Sequence, residues 1–331
     1  MNTPKEAVAE SASDSESDSQ SDGSTVQPEP VTASNFWLPD LSLVGVAVIW
    51  GVNIPLMKNG LEAVDPYTFN AIRLLISAIV LSAFAIRERR AGILPKPGVT
   101  WKHYLTYAAI VTVSYQVSFL LGINLTTPGN VALIIATVPM WTALLARIFM
   151  GERLALLAWA GLLVALIGTA IVALQGNVTA DSRYLIGNAV ILGSALLWSC
   201  GTVYSRPLLR MISPLQLAAV AGVIAWPVHL GVAWLLSEGT VADFGTGSIW
   251  LILIYSGVLS SGLSQPMWHF GVKHAGAAHA AIVQNLIPVV AIVATWISRG
   301  EAPTGPQMFG GAMILIGLVS MRISRGATAG K

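Results

Sequence analysis

Ten apolar runs, each about as long as a bilayer-spanning helix, follow one another between residues 41 and 323. A helix needs about 20 mostly apolar residues to cross the hydrocarbon core of a membrane. The predicted spans are residues 41–58, 66–86, 104–124, 128–148, 155–174, 184–204, 214–237, 248–272, 277–298 and 305–323. The connections are too short for a soluble domain. We therefore expect an all-α membrane protein with ten transmembrane helices and the lipid bilayer as its surroundings.

Charge content leads to the same class. Only 10% of the 331 residues are charged and 54% are apolar, whereas a soluble domain carries about 25% charged residues. No basic patch is interleaved with aromatic residues, so we expect no nucleic-acid partner. The single cysteine, Cys200, excludes an internal disulfide and disfavours a cysteine-based metal site, and we expect no cofactor. The oligomeric state is left open.

The first 36 residues have a different composition. Eight of the sixteen acidic residues lie within the first 40 positions, and the stretch SASDSESDSQSDGS has no aromatic residue. Such a segment cannot bury enough apolar area to offset its ordering entropy. We expect residues 1–36 to be a disordered acidic tail on the cytoplasmic side.

The remaining chain reads as two copies of one unit. A shift of 149 residues superimposes eleven identical residues between positions 116 and 168, and a shift of 148 extends the match toward the N-terminus. The scarcer matches are Gln116 with Gln265, Pro139 with Pro288, Gly151-Glu152 with Gly300-Glu301, Trp50 with Trp198, and Pro66 with Pro214. Residues 37–178 and 179–331 then hold five spans each. Because five is odd, the second copy enters the membrane from the opposite side, as in many secondary transporters.

Basic residues predict the orientation of the bundle. If the N-terminus is cytoplasmic, the inside loops carry thirteen basic residues and the outside loops carry Lys58, Arg183 and Arg299. The inside set is Arg87, Arg89, Arg90, Lys96, Lys102, Arg147, Arg153, Arg206, Arg210, Lys273, Arg322, Arg325 and Lys331. Cytoplasmic loops carry the excess of Lys and Arg. We expect a multi-pass protein of the cell (inner) membrane with both termini in the cytoplasm.

Prolines within the spans are candidate hinges. Pro55, Pro139 and Pro288 each remove one helical hydrogen bond and can kink or break a helix. Pro139 and Pro288 are repeat counterparts in mid-span. A matched pair of broken helices across an inverted repeat points to a midplane binding site and a moving gate. The alternative is a structural kink that helps helices pack.

Polar and aromatic residues within the spans predict a central site. Asn53, Gln116, Gln265, Gln284 and Asn285 would hydrogen-bond a solute. Arg73 would hold a carboxylate, and Trp50 and Trp198 would wall a planar group. The alternatives are helix–helix hydrogen bonds, an ion pair of Arg73 with Asp65 or Glu62, and interfacial tryptophans. His229 and His269 are interpreted as packing histidines. No acid lies deep in a span, which favours neutral, zwitterionic or anionic solutes over cations.

Several segments resemble the EamA-type drug/metabolite transporter superfamily. They are WGVNIPLMK at 50–58, GNVALIIATVPMWTALLARIFMGERL at 129–154, WSCGTVYSR at 198–206 and AHAAIVQNLIPVVAIVATWISRGE at 278–301. The resemblance covers residues 40–323, and the bacterial aromatic amino-acid exporter branch is one neighbour that fits. It implies helices around a central cavity, a peripheral fifth and tenth span, and transport of small organic metabolites. The second half departs at Gly201, which stands where the first half has Asn53.

The predicted function is a secondary transporter that exports small amino-acid-like solutes by alternating access. Two other classes stay open. An intramembrane enzyme would need a nucleophile beside a base, and Ser260, Ser261 or Ser264 with His269 is the best available set. A membrane sensor or scaffold that transports nothing is the second. Loss of solute flux on substitution of Gln116 or Gln265 would favour the transporter.

Overall fold

The computed structural model describes residues 37–61, 63–152, 154–174, 180–237, 244 and 247–329. The predicted acidic tail, Glu62 and Arg153 therefore lie outside the described residues. The helices are α1 (Trp37–Leu61), α2 (Pro66–Arg90), α3 (Trp101–Leu125), α4a (Pro128–Ile135), α4b (Val138–Met150), α5 (Leu156–Ala173), α6 (Leu185–Leu208), α7 (Pro214–Leu236), α8 (Gly247–Ala275), α9a (Ala277–Val283), α9b (Leu286–Arg299) and α10 (Gly305–Ala329).

The all-α prediction with ten spans is confirmed. Among the described residues, nine helices are long and apolar enough to cross a membrane, and the apolar part of α10, Gly305–Ser320, is a shorter tenth. Most helices extend a few residues past the apolar runs. Polar ends such as Arg87–Arg90 continue the backbone hydrogen bonding of α2 into the headgroup region. Exposed side chains such as Ile79 and Leu163, at 61% and 59%, form the surface that faces lipid.

We call the end of the bundle where α1 begins the proximal end, and the end where α1 finishes the distal end. The short connections make successive spans run in opposite directions. The connections α2–α3, α4–α5, α6–α7 and α8–α9 therefore lie at the proximal end. The other connections lie at the distal end.

Two helices are broken in mid-span. Helix α4 is interrupted at Ala136–Thr137 and restarts with Pro139 in its first turn, and α9 is interrupted at Gln284–Asn285 and restarts just before Pro288. A proline lacks the N–H that would continue the hydrogen-bond ladder and tolerates the first turn of a helix. Pro55 is different, because α1 runs through it without interruption. One lost bond is tolerated there, since α1 packs along α8 and α9b. The helix is therefore not broken at Pro55, and the role of Pro55 as a hinge stays a prediction.

Local backbone features recur at matching positions of the two halves. Helix α3 contains a π-helical stretch at Ala108–Tyr115, and α8 contains one at Tyr255–Leu263. The broken helices α4 and α9 both end on a left-handed glycine, Gly151 with φ 65° and Gly300 with φ 70°. Positive φ favours glycine because no Cβ is present to clash. These pairs support the predicted duplication at the level of the backbone.

Packing follows the same pseudo-two-fold symmetry. A Cβ on Gly168 of α5 would lie 2.5 Å from the carbonyl of Gly310 in α10, and one on Gly317 would lie 2.4 Å from the carbonyl of Gly161. The repeat offset exchanges these two pairs. The backbones of α5 and α10 thus meet directly, as small residues allow in membranes. The predicted boundaries of the two halves, at residues 178 and 179, stay a prediction.

Candidate functional site

A central cavity of about 280 Å³ lies in the middle of the bundle. Side chains of α1, α2, α3, α6, α7, α8 and the α9 break line it. Seven of the eight predicted solute-binding residues are among them: Trp50, Asn53, Arg73, Gln116, Trp198, Gln265 and Gln284. The structure thus gathers these seven side chains from six helices. Their role in binding stays a prediction.

Asn285 lies elsewhere. It is 3% exposed and lines a second cavity, of about 550 Å³, which opens between α4, α5, α9 and α10 toward the distal end. Successive helical residues point about 100° apart, so two neighbours at a helix break face different spaces. Gln284 reaches both cavities. The expectation that Asn285 faces the central cavity is wrong, and Pro139 and Pro288 also line the second cavity.

Arg73 is the cation of the central cavity. Its Nε donates to Asn70 Oδ1 at 2.8 Å. Asn70 Nδ2 donates to His229 Nδ1 at 3.1 Å, and His229 Nε2 donates to the carbonyl of Thr112 at 2.7 Å. Because a carbonyl can only accept, Nε2 carries the proton and the ring is neutral when Nδ1 accepts. These hydrogen bonds fix one edge of the Arg73 guanidinium and leave its terminal N–H groups to the cavity.

Arg73 forms no ion pair with an acidic side chain in the described part of the chain. Asp65, the alternative partner named above, instead caps α2. It accepts from the N–H groups of Tyr67 and Thr68 and from Ser237 Oγ. A cation that lies away from water without a carboxylate is costly unless a ligand or neutral acceptors compensate it.

Aromatic side chains form a wall on the proximal side of the central cavity. Trp50 and Trp198, the repeat counterparts, meet edge to face with ring centroids 5.6 Å apart. Trp268 completes a trio at 5.6 and 5.7 Å, and Tyr115 lies 5.0 Å from Trp198. Trp50 Nε1 donates to the Ser260 carbonyl and to Ser264 Oγ. Trp198 Nε1 is buried and hydrogen-bonds no other group among the described residues.

The amide side chains differ in what they leave free. Asn53 Oδ1 accepts from Ser256 Oγ at 2.6 Å, which uses one of the two lone pairs of this oxygen and leaves the N–H groups available. Gln284 Oε1 is a buried acceptor without a partner in the described structure, and Asn285 Nδ2 is a buried donor in the same state. Buried polar groups usually find a partner. An orphan acceptor and an orphan donor at one helix break therefore suit a ligand or water.

Tyr107 and His269 close the proximal side of the central cavity. Tyr107 Oη donates to His269 Nε2 at 2.6 Å, and His269 Nδ1 donates to the carbonyl of Pro214 at 3.1 Å. Both ring nitrogens are therefore occupied. Ser264 Oγ is also engaged, with Trp50 and the Ser260 carbonyl. The serine–histidine pair that the enzyme alternative requires is not formed.

On the proximal side of Tyr107 and His269, further polar contacts close the proximal end of the bundle. Glu152 pairs with Arg206 and accepts from the backbone N–H groups of Ala277 and Ala278. His279 Nε2 lies 2.7 Å from Asp40 Oδ1. Helix α4b packs against α9a here. At the distal end the equivalent helices, α4a and α9b, line opposite sides of the second cavity. The structure is thus closed proximally and open distally.

Three residues of this site were not predicted from the sequence as solute-binding residues. Asn70 and His229 orient Arg73, and Trp268 completes the aromatic trio. The repeat offset offered one signal, because Trp268 falls on Phe119, which lines the central cavity. No comparable signal existed for His229, since its contacts join three helices that are far apart in sequence.

Comparisons with known proteins identify the family. The sequence profile of the EamA-like transporter family matches residues 37–174 and again residues 185–323. The chain is 27% identical over 286 residues to a probable terminal-alkyne amino-acid exporter of Streptantibioticus cattleyicolor, covering 84% of this chain and 91% of that protein. It is 26% identical over 288 residues to a probable amino-acid metabolite efflux pump of Salmonella typhimurium, covering 82% and 91%.

Two further matches are at lower identity. An uncharacterized transporter of Bacillus subtilis, YoaV, is 22% identical over 284 residues, covering 84% of this chain and 94% of that protein. A solved crystal structure with 20% sequence identity superimposes with a TM-score of 0.75 over 87% of this chain and 98% of that one. This likeness establishes the shared fold. Because the two profile matches span nearly all the described helices, the chain belongs to the EamA-like transporter family.

Proposed function

We propose that this protein is a secondary transporter that exports small amino-acid-like solutes, zwitterionic or anionic, by alternating access. The observation that carries the proposal is Arg73. Its guanidinium faces the central cavity, is held on one side by Asn70, and has no acidic partner in the described chain. A solute carboxylate would complete the charge balance that the protein leaves open.

The other groups around the cavity suit the rest of such a solute. Gln116 and Gln265, repeat counterparts, line the cavity from α3 and α8 directly after the two π-helical stretches. Their amides can both donate and accept. The orphan Oε1 of Gln284 can accept from a solute ammonium group. Trp50 and Trp198 offer ring faces to an apolar or aromatic side chain.

The two cavities suggest the path of release. Gln284, Ile54 and Ile287 line both cavities and therefore separate them. A solute in the central cavity would pass this partition into the distal cavity while Glu152 and its partners keep the proximal end shut. We propose that the breaks of α4 and α9 are the hinges for the opposite state. A hinge at a proline-interrupted helix moves one half without straining a full hydrogen-bond ladder.

Two relatives support export as the direction of transport. One is a probable terminal-alkyne amino-acid exporter and the other a probable amino-acid metabolite efflux pump. We extend this to the present chain and place it in the cell membrane with both termini cytoplasmic, so that the distal end faces out. An uncommitted cation and two amide side chains at mid-bundle also favour a transporter over a sensor or scaffold.

The test is efflux from proteoliposomes preloaded with a labelled mixture of amino acids. It compares wild-type protein with Arg73→Gln and with the double variant Gln116→Ala, Gln265→Ala. Arg210→Gln is the matched control, because Arg210 is exposed at the proximal end outside both cavities. We expect wild type and control to release a few solutes. Each site variant should lose about tenfold or more of that flux, since a hydrogen bond to a charged or buried group is worth that much.

Each result has one meaning. If flux is unchanged in both site variants, transport is still supported, but the solute binds outside the central cavity. No release of any amino acid by wild type, with or without a proton gradient, would overturn the solute class. Folded protein in every sample, judged by size-exclusion chromatography, is required for the comparison.

A further inference from the structure

The two ends of the bundle differ in which polar contacts are formed. At the proximal end Glu152, 14% exposed, pairs with Arg206 and accepts from Ala277 N at 3.2 Å and Ala278 N at 3.3 Å. We call Glu152, Arg206 and these two N–H groups the proximal latch. Gly276, with φ 95°, gives the carboxylate room, because a Cβ there would lie 3.3 Å from Glu152 Oε2.

Every member of the proximal latch has a repeat counterpart at the distal end. The offsets of 149 and 148 residues place Glu152 on Glu301, Arg206 on Lys58, and Ala277 and Ala278 on Pro128 and Gly129. We call Glu301, Lys58, Pro128 and Gly129 the distal latch, and this set is not assembled in the present structure. Glu301 is 58% exposed and pairs with Arg299 at 3.0 Å, and Lys58 is exposed. Gly129 and Glu301 both line the distal cavity.

A different pair of repeat-related contacts is formed at both ends of the bundle, at the closed end and at the open end. Asp40 of α1 contacts His279 of α9a proximally. Its counterpart joins α6 to α4a distally, where Asn130 Nδ2 donates to Asn188 Oδ1 at 3.1 Å. Both contacts exist together. Helices α1 and α9 thus form one unit, and α4 and α6 form another. The bonds from Glu152 to Ala277 and Ala278 run between the two units.

We infer that Glu301 is the closing carboxylate of the distal gate. This inference rests on the proposed alternating-access function. When α4a and α9b approach, Glu301 leaves Arg299, pairs with Lys58 of its own unit and accepts from the N–H of Gly129 in the other unit. The proximal latch opens in exchange. Lys58 and Glu301 thereby become gating residues of transport.

The two latches differ in strength in a way that the sequence determines. Pro128 has no N–H, so the distal set offers one inter-unit donor where the proximal set has two. Lys58 is a point charge, whereas Arg206 can bind a carboxylate with two N–H groups. Arg299 also competes for Glu301 and bonds Asn59 at 2.9 Å, while its proximal counterpart is the uncharged Met150. The distally open state is therefore the resting state.

The experiment measures how fast a cysteine in the distal cavity reacts with a bulky hydrophilic maleimide. Ala291→Cys on α9b lines that cavity, and Cys200→Ser removes the native thiol. The protein is held in nanodiscs without any solute. Pro128→Ala supplies the missing N–H, so it should shift the ratio of closed to open distal gates about tenfold toward closed. The labelling rate should fall, and adding Glu301→Gln should restore it.

Two controls separate this mechanism from general loosening. Glu152→Gln should also slow labelling of the cysteine, because the proximal latch is weakened, whereas Glu88→Gln should not. Glu88 is another proximal carboxylate, but it bonds Ser213 and Gln216 between α2 and α7. Glu301→Gln alone should leave labelling unchanged, since the distal latch is unmade at rest. If Glu152→Gln fails to fold, the labelling rates of Pro128→Ala with and without Glu301→Gln still test the inference.

The inference is overturned if Pro128→Ala slows labelling equally with and without Glu301→Gln, or does not slow it at all. That failure is distinct from failure of the proposed function. Normal efflux with no response in labelling removes the latch and keeps the transporter. If the labelling rates follow the predicted pattern in a protein that releases no solute, the role of Glu301 in the distal gate is supported and the proposed solute class is refuted.

Discussion

At the residue scale, solute binding in the central cavity depends on which side chains hold the Arg73 guanidinium. Arg73 contacts no carboxylate in the described structure, and neutral groups orient it through Asn70 and His229. Neutral partners leave the guanidinium charge uncompensated and available to a solute. A carboxylate in place of Asn70 would satisfy the arginine permanently and compete with the solute. The arrangement therefore favours reversible binding.

Removal of the orienting histidine should weaken binding of the solute. His229→Leu should raise the KM for an exported anionic or zwitterionic solute about tenfold, because Asn70 loses its acceptor and Arg73 its fixed orientation. The maximal rate should change less, since the charge remains. His229→Gln is the matched variant, because its amide can accept from Asn70 and donate to Thr112. Equal KM values for the two variants would show that His229 only fills space.

A second prediction at this scale concerns Asp65, which lies just before α2. Burial raises the pKa of its carboxyl, but hydrogen bonds from Thr68, Ser237 and Tyr67 outweigh burial and lower it below its ordinary value of 3.8. A lowered folded-state pKa contributes stability that is complete above the ordinary value and lost as the pH falls through the folded-state value. Asp65→Ala should cost about 1 kcal/mol at pH 7 through the lost cap.

The pH dependence provides the check. The difference in melting temperature between wild type and Asp65→Ala should stay constant from pH 7 to pH 5. It should narrow only below the ordinary pKa of 3.8. Asp65→Asn, which keeps a capping oxygen without the charge, should fall between the two. A gap that closes already between pH 7 and pH 5 would contradict this origin.

Residue identity and repeat position together predicted much of the cavity lining. Trp50 with Trp198 and Gln116 with Gln265 were identifiable because rare polar and aromatic residues recur at a fixed offset. Asn285 was misplaced because sequence cannot say which of two adjacent residues at a break faces which space. The Arg73–Asn70–His229 chain was out of reach, since it depends on the contact of α2 with α7.

At the element scale, small residues bring helices together. Helices α5 and α10 approach each other closely, and a Cβ on Gly310 would lie 2.6 Å from the Gly168 carbonyl. Side-chain periodicity carries no trace of such a contact, because both helices are apolar on all sides. The repeat pairing of glycines was the only sequence signal. It predicted that the positions correspond, but not that they touch.

Substituting one of these glycines should separate the pair. Gly310→Ala should destabilise the protein by about 1–3 kcal/mol, because the backbones of α5 and α10 must move apart. Gly193→Ala in α6 is the matched control, since a Cβ there meets nothing within 4 Å. The control should be neutral or stabilising, because alanine favours helices by about 1 kcal/mol over glycine. Thermal unfolding in one detergent compares them, and equal melting temperatures would refute the close contact.

At the scale of the whole molecule, an inverted repeat predicts two equivalent states, yet one chain must favour one of them. The breaks of α4 and α9 match, as do the π-helical stretches of α3 and α8. The chemistry around them does not match: Gly201 stands opposite Asn53, Pro128 opposite Ala277 and Met150 opposite Arg299. Duplication thus accounts for the matching architecture, and these three positions are places where the chemistry of the two halves differs.

The orientation of the bundle is the last prediction and follows from charge. The connections at the proximal end carry most of the basic residues, which favours the cytoplasmic side. In a Cys200→Ser background, Lys96→Cys lies in the proximal α2–α3 connection and Ala302→Cys in the distal α9–α10 connection. Spheroplasts expressing either variant are treated with a membrane-impermeant maleimide. Ala302→Cys should react in intact spheroplasts and Lys96→Cys only after lysis. The reverse pattern would place the open cavity on the cytoplasmic side, and the structure would then represent the solute-loading state of an exporter.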